Sequence, residues 1–297
     1  MDFTCARPNL QLSGGGRVPL VTSMSAPYKQ VASTVFVRFP QDPSLMRFAP
    51  CVAIAVLLTA IGVSSARCQV DTRWPQHSMD RPRPPVVDPG PERAPVPPPA
   101  DAIVLFDHGS LSAWRQHDGS PVRWAVHGDY FEVEPGTGNI VTARGFGDCQ
   151  LHVEWAAPTP PKGESQERGN SGVFLMGLYE VQVLDSYHND TYPDGQAASV
   201  YGQFPPLVNA SRAPGKWQSY DIIFHRPRFD SSGTVTSPAR LTVFHNGILV
   251  QDNVALSGPT ANKQRPPYHV TPDSLPLELQ DHNNRVRYRD IWIRAID

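Results

Sequence analysis

Residues 169–186 read GNSGVFLMGLYEVQVLDS. Alternating apolar residues on both sides of Met176-Gly177-Leu178 predict two adjacent strands joined by a short turn. The second strand sets Glu180, Gln182 and Asp185 among Tyr, Val and Leu residues. A solvated edge does not need that apolar company, and a plain core strand does not need the polar groups. Strict alternation puts Glu180 and Gln182 on one face and Asp185 on the other. One bulge between Gln182 and Asp185 would return the aspartate to their face, a device common near active sites.

The same pattern extends outward. Short strands are expected at 102–106, 124–127, 130–133, 140–142, 149–155, 172–176, 179–184, 217–225, 240–245, 248–254, 277–280 and 286–293, punctuated by Gly, Pro, Asn and Asp. ARLTVFHNGILVQDNV, at 239–254, is the clearest hairpin, because Asn246-Gly247 supplies the two positive-φ positions of a tight primed turn. No long segment carries apolar residues at helical spacing. So many strands cannot stay flat with exposed edges, and the expected fold is all-β, a sandwich of two antiparallel sheets. Two long connections, 156–170 and 186–215, stand out; loops of that length in a compact domain are usually functional or disordered, and their positions flanking the Glu180 strand favour the first.

The ends of the chain are of a different kind. Met46-Arg47 precedes FAPCVAIAVLLTAIGV and then SSARC, with small residues Ser64 and Ala66 before a cut. This pattern predicts a signal peptide over 46–66, hence an exported protein, periplasmic or extracellular, with no membrane span after cleavage. Residues 1–45 then read as a disordered extension or an over-extended gene start. Residues 67–100 hold RPRPPVVDPGPERAPVPPPA and read as an extended, semi-rigid Pro-rich linker. The domain proper is 101–297. Cys68 and Cys149 remain after cleavage; a bridge between them is open, but Cys149 fits better as a small hydrophobe at a strand start. With 26 basic against 28 acidic residues, the formal charge of -2 argues against nucleic acid as a partner.

Residues 101–297 resemble the 3-keto-disaccharide hydrolase domain, within the concanavalin A-like lectin/glucanase superfamily. The matching blocks are DAIVLFDHGSLSAWR, FGDCQLHVEWAAP, GNSGVFLMGLYEVQVLDSY, YGQFPPLVNASRAPGKWQSYDIIFHRPRFD, PARLTVFHNGILVQDN and LELQDHNNRVRYRDIWIR, in order along the domain. The resemblance implies a concanavalin A-like jelly roll with a concave, sugar-facing sheet. It also implies an oligosaccharide or glycoside substrate already oxidised to a ketone at C3, and a host among sugar-degrading bacteria.

Glu180-x-Gln182-x-x-Asp185 is an altered version of the E-x-D-x-x-E strand of laminarinase-type jelly-roll glycosidases. Retaining hydrolysis needs carboxyl groups roughly 5–5.5 Å apart, and the shorter Asp side chain withdraws one of them. A 3-keto sugar calls for other chemistry. The ketone acidifies the C2 proton, so a base can remove it, the C1 oxygen can leave, and water can add to the product. Such a site needs a base, an acid and donors for the enolate oxygen. The catalytic candidates are Glu180, Asp185 and His282. The substrate-binding candidates are Gln182, Asn170, Glu154, Trp155, Gln280 and Arg289, with Trp155 as a stacking platform. Each also has a purely structural reading: Glu180 as a buried acid paired with Arg289, Asp185 as a loop cap, Trp155 as core. Asp185, Asn189, Asp190 and Asp194 offer oxygen ligands for a divalent cation such as calcium, in a spacing that fits no EF-hand. No nucleotide cofactor is called for. The alternatives to an enzyme are a non-catalytic carbohydrate-binding jelly-roll module and an adhesive envelope domain.

Overall fold

Strict alternation decides the orientation of the strand QSYDIIFH. Gln218, Tyr220, Ile222 and Phe224 are buried, while Ser219, Asp221, Ile223 and His225 are half-buried or exposed. The computed structural model describes residues 70–95, 97–107 and 109–296. The expectations for 1–45, the signal at 46–66 and Cys68 lie outside the described residues.

The strands are β1 (Ile103–Phe106), β2 (Trp114–Gln116), β3 (Ala125–Val126), β4 (Phe131–Glu132), β5 (Ile140–Phe146), β6 (Cys149–Ala156), β7 (Ser171–Leu175) and β8 (Tyr179–Val183). They continue as β9 (Gln218–His225), β10 (Arg228–Phe229), β11 (Val235–Ser237), β12 (Arg240–His245), β13 (Ile248–Ala255), β14 (Leu275–Leu279) and β15 (Arg287–Ala295). One sheet runs β13-β12-β9-β6-β15-β4-β3, with β1 also paired to β15; the other runs β2-β5-β14-β7-β8. The pairings within both are antiparallel. The fold is an all-β jelly-roll sandwich.

Between the sheets lie Val173, Val181 and Val183 from one side and Leu151, Trp155, Tyr220, Ile222 and Tyr288 from the other, all buried in one apolar cluster. Each large side chain fully withdrawn from water contributes about 1.5–3 kcal/mol. The β12–β13 turn forms as its sequence demands, with Asn246 at φ 55° and Gly247 at φ 81°. Cys149 opens β6 and is buried, and burial pushes its thiol up to about 12, which makes it unreactive.

The Pro-rich stretch makes contacts that a free spacer would not. Val86 bridges Asn209, Arg212 Nε donates to the Gly90 carbonyl at 3.1 Å, and the Trp217 amide donates to Glu92 Oε1 at 2.5 Å. An extended proline-rich backbone keeps its carbonyls unpaired within itself, so neighbouring donors can take them.

Candidate active site

On the five-stranded sheet the register builds a polar patch from the residues upward. Glu278, Phe174 and Glu180 are partners across β14, β7 and β8. The row continues into the long connection, where the Tyr201 amide donates to the Glu180 carbonyl and Val200 bridges Val181. A second row holds Gln280, whose amide donates to the Gly172 carbonyl, then Gly172 and its partner Gln182. Because Val173, Val181 and Val183 face the core, these rows face away from it. From these rows Phe174, Glu180, Gln182, Tyr201 and Gln280 line a cavity of about 240 Å³ with Asn170, Thr260, Asn262 and His282.

Glu180 is 5% exposed and leans over Gly172: a Cβ on that glycine would stand 2.5 Å from Glu180 Oε1. Among the described residues no cation lies within ion-pair distance of Glu180. Burial, seconded by the negative charge of Glu278, pushes the Glu180 carboxyl up to about 8.

Gln166 Nε2 donates to Thr191 Oγ1 at 2.7 Å and to the Gly195 carbonyl at 3.0 Å, which leaves Gln166 Oε1 to accept from Gln182 Nε2 at 3.0 Å. In this orientation Gln182 Oε1 would stand 3.0 Å from both Glu180 Oε1 and the Ser171 carbonyl oxygen, and the opposite orientation of the amide lets its nitrogen donate to both. The Glu180 backbone N–H donates to Thr260 Oγ1 at 3.0 Å, so the threonine proton is free to point elsewhere.

Four of the site residues expected from sequence therefore converge with Glu180: Gln182, Asn170, Gln280 and His282. Asn170 is buried and donates through Nδ2 to the Gln166 carbonyl, and Gln280 Oε1 is buried without a hydrogen-bond partner. His282 is exposed at the rim and also lines an adjoining open depression of about 830 Å³.

The other four do not join it. The expected bulge is absent, because β8 ends at Val183 and the chain leaves the sheet. Asp185 is buried instead against Arg168, 2.6 Å from its Nε, and also accepts from the Tyr187 amide. It pins the loop. Burial nonetheless outweighs Arg168 and holds the Asp185 carboxyl above its ordinary value. Asp185→Asn is expected to lower folding stability by about 2 kcal/mol, the scale of a charged hydrogen bond, while kcat stays within a few-fold of wild type. Urea melts and steady-state assays together check this, and loss of turnover without loss of stability would restore Asp185 to the chemistry.

Trp155 is fully buried between Tyr220 and His245, at ring distances of 5.5 and 6.0 Å, and offers no platform. Glu154 and Arg289 are register partners on the eight-stranded sheet and pair with each other, Oε2 to Nε 2.7 Å, with Arg289 stacked 4.2 Å over Trp217. Glu154 also faces His152, whose Nδ1 lies 2.7 Å from Asp221. Burial opposes the charge on His152, but the bond to Asp221 and the nearby Glu154 carboxylate win and raise it to about 9. That network lies on the other sheet, where His152 Nε2 is buried without a hydrogen-bond partner and Glu154 lines a separate cavity of about 340 Å³.

The candidate cation ligands are dispersed. Asn189 is bonded to Ser165 and the Asp185 carbonyl, exposed Asp190 to Arg83, and Asp194 to His77 and Arg81. Among the described residues no three His, Cys, Asp or Glu side chains group to hold a metal ion. Nor does any helix among them have the length and apolarity to cross a membrane.

Sequence reasoning missed Tyr201, Thr260 and Asn262. The length of the 186–215 connection was the available signal for the first; nothing in the pattern marked the other two.

A family model described as the 3-keto-alpha-glucoside-1,2-lyase-like domain matches residues 101–294. No curated protein matches the chain. Among solved structures, the chain is similar to a candidate glycosyl hydrolase from Parabacteroides distasonis ATCC 8503 with 42% identity and a TM-score of 0.64, covering 69% of this chain and 94% of that one. Another candidate glycosyl hydrolase of that organism shares 16% identity at a TM-score of 0.49, over 66% of this chain and 94% of the other.

Proposed function

Because the chain belongs to the 3-keto-alpha-glucoside-1,2-lyase-like domain family, we propose that it is a glycoside hydrolase-type enzyme that cleaves 3-keto-glycosides by elimination and hydration. The observation that carries this reading is Glu180, a carboxyl held near 8 in a cavity of about 240 Å³. That space suits a single sugar ring, with the leaving group directed past His282 into the adjoining depression.

Ionised Glu180 takes the proton from C2, and the electrons of that bond form the enolate of the C3 ketone. The enolate collapses to a C1=C2 double bond as the C1–oxygen bond breaks, and the departing oxygen takes a proton, with His282 at the rim as its source. Water then adds, its hydroxyl to C1 and a proton to C2, giving net hydrolysis. The hydroxyls of Tyr201 and Thr260 supply the donors for the enolate oxygen. Burial keeps the Tyr201 phenol above its ordinary value, and so protonated at neutral pH. Export, expected from 46–66, would bring the enzyme to extracytoplasmic glycosides.

A base whose conjugate acid titrates near 8 is stronger than an ordinary carboxylate and still partly ionised at neutral pH. With a 3-keto-glucoside as substrate, kcat/KM should rise with pH as Glu180 ionises and fall again where the donor to the leaving oxygen has lost its proton, a bell-shaped profile. Release of aglycone measured from pH 5.5 to 9 tests both the substrate and the base. Binding without turnover at every pH would instead identify a carbohydrate-binding module.

A further inference from the structure

Residues 70–81 precede the segment matched by the family, 101–294, yet they pack behind the wall of the Glu180 cavity. The His77 amide lies 3.2 Å from both carboxylate oxygens of Asp194, which is fully buried, and the largely buried Arg81 places Nη1 3.8 Å from Oδ2. The Asp194 carbonyl in turn accepts from the Gly202 amide at 2.8 Å. One aspartate thus ties the N-terminal segment to both ends of the 192–202 loop.

The His77 ring completes the attachment. It stacks on Tyr192 at 4.2 Å and 23°, and meets Tyr201 at 5.0 Å; the two phenol oxygens are 2.9 Å apart. Tyr201 is the wall residue that shares the cavity with Glu180. Close approach is built into the backbone. Gly202 has φ 70°, and a Cβ there would stand 2.5 Å from Gln76 Nε2, whose amide reaches on to the Gln264 carbonyl. His77 itself is held at φ 63°, a conformation that costs a non-glycine residue energy and persists where the surroundings enforce it. Burial, opposed by Asp194, keeps its imidazole below the ordinary value. The ring is therefore neutral at pH 7, and its part is played by stacking.

We propose that residues 70–81 form a strap belonging to the active unit, in which His77 is a positioning residue that sets Tyr201 against the sugar. The inference rests on reading the Glu180 cavity as the sugar site. It predicts that the catalytic unit begins ahead of the family domain.

The test uses the full chain with His77→Ala, His77→Phe and, as a control, Arg73→Ala, whose exposed pair with Asp71 stays within the strap. Each is measured for kcat and KM on a 3-keto-glucoside and for amide hydrogen exchange across 192–202. His77→Ala should speed exchange in that loop and lower kcat by about 10- to 100-fold, with a smaller change in KM. His77→Phe, which keeps a ring in the stack, should recover most of both, and Arg73→Ala should match wild type. Unchanged exchange in His77→Ala overturns the strap, as does unchanged kcat despite faster exchange, or a His77→Phe as impaired as the alanine variant. A wild-type protein inert towards the keto-sugar would refute the functional reading alone; the exchange data would still decide whether the strap holds the loop.

Discussion

Glu180→Gln is expected to give a folded protein whose kcat/KM on a 3-keto-glucoside is lower by about 10³-fold or more, within the range lost when a general base is removed. The amide matches the acid in size, so it fits the space above Gly172 and still meets Gln182, but it cannot take a proton. The same variant carries a signature in stability. The folded-state value near 8 lies above the ordinary value of 4.5, so between those two pH values the folded protein holds a proton that the unfolded chain has released. Stability conferred by the buried neutral acid is therefore full below about 4.5 and is lost as pH rises through 8. Each tenfold step in that equilibrium is worth about 1.4 kcal/mol. Glu180→Gln lacks the titration, so it should match wild type near pH 4.5 and exceed it by on the order of 5 kcal/mol at pH 9. Chemical denaturation at the two pH values measures the difference. An equal gap at both would show that Glu180 is not held protonated, and full activity would remove it from the mechanism.

Gly172→Ala should cost about 10²-fold in kcat, the scale of an ångström-sized misplacement of a reacting group, with a smaller loss of stability. The glycine does not adopt a positive φ, so alanine is compatible with its backbone. The obstacle is space: the new methyl would lie 2.5 Å from Glu180 Oε1 and 2.7 Å from Phe174 Cε2. The carboxyl is the flexible end and must swing away, while overpacking against Phe174 costs about 1–3 kcal/mol. The pH profile separates this from simple unfolding. A carboxyl displaced toward solvent should titrate lower, so the rise in kcat/KM should move below pH 8. A variant with wild-type kcat and an unmoved profile would show that the Glu180 carboxyl does not need its seat on Gly172.

Much of the architecture was legible because strand alternation is a local property of the chain. The Asn246-Gly247 hairpin, the buried face of β9 and the pairing of β7 with β8 follow from neighbouring residues alone. β2, β10 and β11 escaped because they are only two or three residues long, too short to show a period; β2 also owes its form to β5, some way along the chain, while β10 and β11 pair only with each other. Glu180, Gln182 and Asn170 could be read as a group since one hairpin carries them. Glu154, Trp155 and Arg289 were misplaced because alternation tells two faces of a strand apart but does not say to which sheet the strand belongs. Asp185 was misjudged for want of a signal that β8 would stop at Val183. Tyr201 and Thr260 reach the cavity on irregular chain whose course is decided by tertiary contacts, Val181 with Val200 and Glu180 with Thr260.

That contact between Val181 and Val200 has a consequence for the protein in crowded solution. β8 is the last strand of its sheet, and a bare terminal strand rich in valine is a template for pairing with other chains. The segment from Ala198 to Tyr201 occupies those backbone groups, through the Gln182 amide and carbonyl and the Glu180 carbonyl. The loop that walls the sugar cavity is thus also the guard against self-association, and changes that loosen it to admit bulkier sugars should bring aggregation with them.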